Sequence, residues 1–458
     1  MGLRPFRFES NILPAGRGIA DKEPDRLGRG RRGRFTLPTL LYDTAASTGM
    51  YVIGRDDADS VRPREPAVGD GETSAPTVPL GSFLARDGST GAAVGVDADG
   101  PHAAVVFGKR GTGKSYTLGV IAEGLAAADG VAPVVVDPMG VFSGLRAAGG
   151  RVVEPTVRPA AIPASAWPDL LGLDPTSGAG SLLWRAVADA ASATADSRRN
   201  GPSPDPEAGV PSPSLGDVRD RIDASGAPEA ARRAADNHLR LAESWGVFDA
   251  AAVPVARFAA DGTPTVLDLA GVPERAAAAV VRAVARGLYD AQVAGRLDRL
   301  PWLLVDEAHA FFGGVADPAL RTILTRGRAP GVSLVCATQR PGALPSVAVS
   351  QSDLIVAHRL TAEGDVARLA EAEATYLAGS LASRLPTGTG EALVVDDATE
   401  TAHTVRVRER RTPHGGGSPR ASRTPAAIER SDGGGATGGG LRSPDTPNRG
   451  PSESEDPR

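Results

Sequence analysis

One cysteine, Cys336, stands in 458 residues. That excludes a disulfide framework and a thiolate zinc site. It lies in an apolar stretch, where burial is expected. No run approaches the roughly 18 apolar residues that a membrane-spanning helix needs, and the first residues lack the apolar segment of a signal peptide. A cytoplasmic protein with no membrane segment of its own is expected. Lysine is almost missing too: Lys22, Lys109 and Lys114 are the only three, and all other fixed positive charge is arginine. Such arginine bias, with abundant Ala, Gly, Pro and Asp, is what a GC-rich genome produces. A lysine kept in that background marks a place where a guanidinium cannot replace a compact ammonium. No internal repeat is evident.

The net charge of −5 hides an uneven spread. Residues 1–49 carry about +4 and residues 411–458 about +1, so the stretch between is near −10. An acid-rich core does not bind nucleic acid through its bulk field, so any DNA contact must be local. Acidic surfaces suit high salt, and a halophilic host accounts for the composition.

The ends differ from the middle. Residues 1–49 are rich in Arg and Gly without a sustained apolar period; they read as a non-native or disordered basic extension, with Met50 as the true start. A nucleic-acid-binding arm is the alternative. Residues 411–458 are low in complexity and too poor in apolar surface to fold, and a disordered tail is expected. Between them, short β-branched runs alternate with helical patterns, as in a parallel α/β sheet. The predicted strands are Ala103–Phe107, Pro133–Asp137, Thr265–Leu269, Trp302–Asp306, Ser333–Thr338, Leu354–His358 and Ala392–Val395. Residues 50–102 hold three shorter strands, Tyr51–Ile53, Val78–Leu80 and Ala93–Val96, which predict a short β element ahead of the core. Residues 160–262 read as a helical insertion split by the Pro/Ser/Gly-rich linker Gly201–Pro213. The core itself is then 103–159 together with 263–410.

Two of the three lysines lie in one loop. Gly108-Lys109-Arg110-Gly111-Thr112-Gly113-Lys114-Ser115 fits the phosphate-binding pattern G-x-x-x-x-G-K-[ST] at every fixed position. An apolar strand precedes it, and Leu118, Ile121, Ala122 and Leu125 follow at helical spacing. Glycines let successive backbone N–H groups surround an anion at the positive end of the helix. Lys114 would reach the β- and γ-phosphates, and the Ser115 hydroxyl would ligate Mg²⁺. The nucleotide-binding set is thus Gly108 to Ser115, with Tyr116 beside it, and the implied ligands are ATP and Mg²⁺.

A second half of the site is legible far downstream. Pro301–His309 is an apolar strand that ends in Asp306-Glu307, a Walker B arrangement. Asp306 would hold the metal with Ser115, and Glu307 would polarise the attacking water as general base. The strand Ser333–Thr338 ends at Gln339, which has the chemistry to touch both water and γ-phosphate. Asp137 orients substrate or the phosphate loop, or caps its own turn; His102 either has a role of its own or packs at the strand end, and His309 reads as a supporting or packing residue. The string Asp306-Glu307-Ala308-His309 also spells the box of another helicase superfamily, but the late arginine motif of that superfamily is missing.

These segments, with Val134–Leu145, Thr265–Val272, Arg326–Pro341, Ser350–Thr361 and Gly390–Val395, stand in the order found in HerA/FtsK ATPases, and the match resembles the archaeal HerA branch most closely. The resemblance implies a RecA-like P-loop fold, of the class with a catalytic Glu after the Walker B Asp, carrying a helical insertion. It also implies a homo-hexameric ring that moves double-stranded DNA, working with a nuclease or secretion partner. An arginine from the neighbouring subunit would complete each site: Arg328 first, then Arg359, then Arg326. HerA proteins carry a β-barrel ahead of the phosphate loop, which 50–102 is too short to supply. A conjugation- or secretion-type pumping ATPase and a non-motor NTPase switch are the competing readings.

Overall fold

The computed structural model describes residues 50–55, 75–199, 212–370 and 381–416. The basic arm 1–49, linker residues 201–211 and the tail from 417 onward lie outside the described residues.

One sheet organises the protein. In chain order its strands are β1 (Tyr51–Ile53), β2 (Thr77–Leu84), β3 (Thr90–Asp97), β4 (Ala103–Phe107), β5 (Val131–Asp137), β6 (Arg151–Val153), β7 (Thr265–Asp268), β8 (Leu300–Val305), β9 (Ser333–Thr338), β10 (Leu354–Ala357), β11 (Glu391–Asp396) and β12 (Thr401–Val407). In space the order is β1-β3-β2-β12-β11-β10-β4-β9-β8-β5-β7-β6. From β10 to β6 every pairing is parallel, with Val105 opposite Cys336 and Leu303 opposite Leu334. Beyond β10 the sheet turns antiparallel through β11, β12, β2 and β3, and β1 closes the edge parallel to β3.

The parallel strands are near-continuous apolar runs because helices cover both of their faces. Side chains alternate along β4: Val105 and Phe107 enter one core, Ala104 and Val106 the other. The first core packs against the Ala-rich helix Glu274–Val293 and runs on into the helical insertion. There Leu183, Val187, Val218, Ile222 and Leu239 are buried between the helices Gly178–Arg199, Leu215–Asp223 and Glu229–Ser244. The second core packs against Lys114–Ala126, the helix that follows the phosphate loop.

That helix is covered nearly all round. Leu118, Ile121, Ala122 and Leu125 are buried as their spacing predicts, but so are Gly119, Val120, Glu123 and Gly124 on its other side. Strand β2 lies close enough that a Cβ on Gly124 would meet a Val78 methyl at 2.5 Å. The described residues 50–55 and 75–102 therefore do not stand apart from the core; they continue its sheet and roof the phosphate-loop helix. The predicted tail boundary at 411 also falls inside a packed contact: Thr412 is buried and Gly415 N–H donates to Val141 O at 3.3 Å. Low complexity did not prevent 411–416 from docking, because Glu123 offers them a buried carboxylate. Cys336 is fully buried, and burial pushes its thiol up to about 12.

Candidate nucleotide site at the carboxyl edge of the sheet

Ligands of open α/β sheets bind beyond the carboxyl ends of the strands, and three such ends converge here. Strand β9 lies between β4 and β8. The phosphate loop after β4, Gln339 after β9 and Asp306-Glu307 after β8 are thereby brought side by side. A cavity of about 610 Å³ is lined by Lys114, Ser115, Asp306, Glu307 and Gln339 among others.

The loop is shaped before any ligand arrives. Gly113 sits at φ 119°, closed to side chains, and hands over directly to the helix. A Cβ on Gly108 would fall 2.5 Å from Thr112 Oγ1 and 2.8 Å from His358 Cβ, so the backbone is pressed onto its own cradle. The Lys109 carbonyl accepts from Thr112 N–H at 3.2 Å and Thr112 Oγ1 at 2.7 Å, and Lys109 N–H donates to Arg359 O at 3.1 Å. His358 underpins the loop from β10: its ring nitrogens contact Thr117 Oγ1 at 2.9 Å and Glu391 O at 2.8 Å. Burial, with Lys114 nearby, pulls this imidazole down to about 4, so it packs as a neutral ring.

Lys114 is 5 % exposed, and Nζ has only the Lys109 carbonyl at 3.4 Å among the described residues. Burial lowers its pKa, against the attraction of Glu307 and Asp306. Ser115 Oγ donates to Asp306 Oδ2 at 2.8 Å, which ties the phosphate loop to the end of β8. Asp306 is 1 % exposed; burial first, then the charge of Glu307, raises its carboxyl to about 6 despite that bond. Glu307 sits at φ 46°, a left-handed conformation unusual for a residue with a long side chain. Its Oε2 is buried without a hydrogen bond, and His309 Nδ1 stands 3.4 Å away. His309 also contacts Thr338 Oγ1 at 3.2 Å, so it bridges the ends of β8 and β9.

A cramped glycine cradle, a desolvated ammonium, a hydroxyl–carboxylate pair and an orphaned carboxylate oxygen fit a magnesium–nucleotide. Ser115 and Asp306, held together at 2.8 Å, are the pair that could hold a metal ion there.

Other residues fall elsewhere. Asp137 caps its own turn, accepting from Val141 N–H at 3.0 Å and Phe142 N–H at 2.8 Å. His102 lies at the opposite end of β4 in an ion-paired cluster with Asp353 and Asp97. Arg326, Arg328 and Arg359 are exposed, and none lines the cavity. The arginines that do are Arg110, exposed at the loop tip, and Arg408. Arg408 is held by Glu123 Oε2 at 2.8 Å, Pro79 O at 2.9 Å and Val120 O at 3.0 Å. Sequence reasoning missed His358, Arg408 and Glu123. Only Glu123 left a local signal, an acid in the middle of an apolar helix, which must find a partner when buried.

The family model described as the central domain of helicase HerA matches residues 78–288. That match bears out the resemblance to HerA/FtsK P-loop ATPases, and with it the reading of the chain as an ATPase. No curated protein sequence matches the chain. Among solved structures, VirB4 of Thermoanaerobacter pseudethanolicus is similar at 17% identity and TM-score 0.56, over 74% of this chain and 98% of that one. The bacterial conjugative coupling protein TrwB is similar at 16% identity and TM-score 0.48, over 75% and 99% of the two chains. The genome-packaging NTPase B204 of Sulfolobus turreted icosahedral virus 2, in complex with ATP-γ-S, is similar at 14% identity and TM-score 0.35, over 67% and 96%. At these identities the VirB4 likeness speaks for the fold, a RecA-like core on a mostly parallel sheet. No helix of the described residues is long and apolar enough to cross a membrane.

Proposed function

We propose that this P-loop ATPase of the HerA/FtsK type hydrolyses ATP with Mg²⁺ and spends the energy on moving double-stranded DNA, as a homo-oligomeric ring of six in the cytoplasm of a halophilic, archaeal-type host. The N–H groups of Gly108 to Ser115 surround the phosphates, and the Lys114 ammonium lies against the β/γ oxygens. Ser115 Oγ and the Asp306 carboxylate hold the metal, which when bound neutralises charge on those oxygens. Gln339 orients a water, and Glu307 takes its proton as the oxygen attacks the γ-phosphorus. The bridging P–O bond breaks, and ADP and phosphate leave. The unbonded Oε2 of Glu307 is free for that proton.

One observation supports the ring. Groups suited to bind and cleave the nucleotide share a cavity, yet the lining arginines are a loop-tip residue and a guanidinium already bonded to Glu123. Arg328 and Arg359 are exposed instead, available to a neighbouring copy's site. A pumping ATPase of conjugation or secretion systems uses the same core, and the VirB4 likeness in fold is the observation on that side.

The test is activity against protomer concentration, with and without duplex DNA in high salt. A ring gives activity that rises more steeply than linearly with protomer concentration through the assembly range. Mixing Lys114→Ala with Arg328→Ala subunits restores part of it, and repeating the mixture with Arg359→Ala tells which arginine acts. Flat specific activity down to proven monomer, with no complementation, removes the ring. DNA that fails to stimulate the assembled ATPase removes duplex DNA as the substrate.

A further inference from the structure

The segment Arg408–Gly416 is fastened to the phosphate-loop helix with more bonds than a trailing end needs. Glu123, 6 % exposed in the middle of that helix, accepts from Thr412 N–H at 2.9 Å, Arg411 N–H at 3.0 Å and Arg408 Nη1 at 2.8 Å. Thr412 Oγ1 donates to it at 2.5 Å and Arg410 Nε at 3.4 Å. So many donors hold the buried carboxyl at about 2 against the opposing push of burial. The seat is cut to match. A Cβ on Gly119 would lie 2.5 Å from the Arg410 guanidinium carbon, and one on Gly144 would lie 1.9 Å from Pro413 O.

Beyond this anchor the segment turns along the rim of the cavity. His414, Gly415 and Gly416 line it together with Met139 and Val141, and Gly415 packs against Val141, its N–H donating to Val141 O at 3.3 Å. The His414 ring meets the Tyr116 ring edge-on, with centroids 5.5 Å apart at 79°, and Arg410 N–H donates to the Tyr116 hydroxyl at 2.6 Å. Met139 is 64 % exposed, an extreme value for a large apolar side chain among the described residues. A polarizable thioether left in solvent, lining the same cavity as a ring and two side-chain-free residues, offers a surface for a flat aromatic ligand.

We propose that Arg408–Gly416 is the base-side wall of the nucleotide cavity, with His414 and Met139 contacting the nucleobase and Glu123, through Thr412 and the arginines, positioning that wall. This rests on the phosphate-loop reading above. It makes the two halves of the nucleotide separable: the phosphates belong to the loop, the base to a segment about 300 residues later in the chain. Burial and the neighbouring Arg410 hold the His414 imidazole below its usual pKa, so it meets the base as a neutral ring at pH 7.

The experiment is calorimetric titration of the full chain with MgATP and with inorganic tripolyphosphate plus Mg²⁺, which presents phosphates without a base. His414→Ala and Met139→Ser are each expected to weaken MgATP by about tenfold, the scale of losing one stacking contact, and to leave tripolyphosphate unchanged. His414→Phe, which keeps a flat ring, retains MgATP affinity. Glu123→Gln follows the same pattern if it folds; the two rim variants alter exposed side chains and carry the test if it does not. Equal losses on both ligands would mean that the segment acts through the phosphate loop, and the proposal fails. Unchanged MgATP affinity in both rim variants also overturns it. Wild-type protein that binds neither ligand would instead remove the phosphate-loop reading itself.

Discussion

Strand β4 carries a buried ionic cluster at each end, and the two are built on opposite plans. At its start, His102 lies between Asp353, 2.9 Å from Nδ1, and Asp97, 3.9 Å from Nε2, and Arg55 Nε donates to Asp97 at 2.8 Å. Two cations face two carboxylates, and although burial opposes it, the bond that the imidazole donates to Asp353, with the charge of both acids, raises it to about 9. At its end, Lys114, Asp306 and Glu307 are drawn together without pairing: the ammonium has one long bond to a carbonyl, and one carboxylate oxygen has none. Burial is common to both clusters and so identifies neither as functional. Each end also holds one buried polar atom without a hydrogen bond, His102 Nε2 at the start and Glu307 Oε2 at the end. The difference is therefore charge pairing: at the end the ammonium has no ion-pair partner among the described residues, and a charge left unpaired in a cleft costs stability unless a ligand completes it.

The comparison breaks first on activity. Glu307→Gln is expected to cut hydrolysis by about 10²–10⁴, the usual reach of a general base, while MgATP still binds. Lys114→Ala should abolish tight MgATP binding itself. Equal nucleotide affinity in the two variants, read by calorimetry, would show their roles to be misassigned. Neither substitution should lower the melting temperature, because neither removes a satisfied ion pair.

At the other end of the strand the expectation reverses. His102→Leu leaves Asp97 and Asp353 without their shared cation and should cost about 3 kcal/mol in denaturant unfolding, with MgATP affinity unchanged. A pH series sharpens this. The imidazole is raised from 6.5 to about 9 in the folded protein, so its stabilisation is fully present below 6.5 and is lost as pH rises through about 9. His102→Leu should be free of that alkaline loss.

The smallest effect is a pH dependence of binding. Asp306 is raised from 3.8 to about 6, so protons compete with the metal below that point. MgATP affinity should fall by up to about tenfold per pH unit below 6. As a contribution to folding, the sign is opposite to that of a paired acid: the raised carboxyl stabilises the free protein at low pH and ceases to do so as pH rises through about 6. Asp306→Asn should flatten this part of the binding profile. A wild-type profile flat from pH 7 to 5 would mean that Asp306 stays ionised without the metal.

Legibility in the sequence followed the same divide between local and distant partners. Six of the seven predicted core strands were readable because parallel strands buried on both faces are apolar runs bounded by turns; the seventh, β11, is antiparallel but as apolar, while the parallel edge strand β6, three half-buried residues, was missed. The phosphate loop was readable because its backbone geometry demands glycine at fixed spacing. Strand β12 was not readable: Thr401–Val407 is mostly half-buried and mixes Thr, His and Arg with its apolar residues. Its place beside β2 depends on pairing with residues more than 300 positions earlier. His358 gave no sign either, since its partners, Thr117 and Glu391, are remote in sequence. Asp137 had an equally local explanation available, and the capped turn is the one adopted. Arg326, Arg328 and Arg359 gave no sign in the sequence beyond their positions, because a residue that acts across an interface leaves no trace in its own subunit's packing.

The left-handed backbone at Glu307 has a consequence for anyone who engineers this protein. A long side chain at φ 46° costs the fold about 1–2 kcal/mol that glycine or asparagine would not incur. Directed evolution for heat tolerance alone would therefore favour replacement of this residue, and its winners would be sturdier proteins that no longer turn over ATP. Thermal hardiness and catalytic competence are set against each other at a single peptide unit, so a selection scheme here must demand both at once.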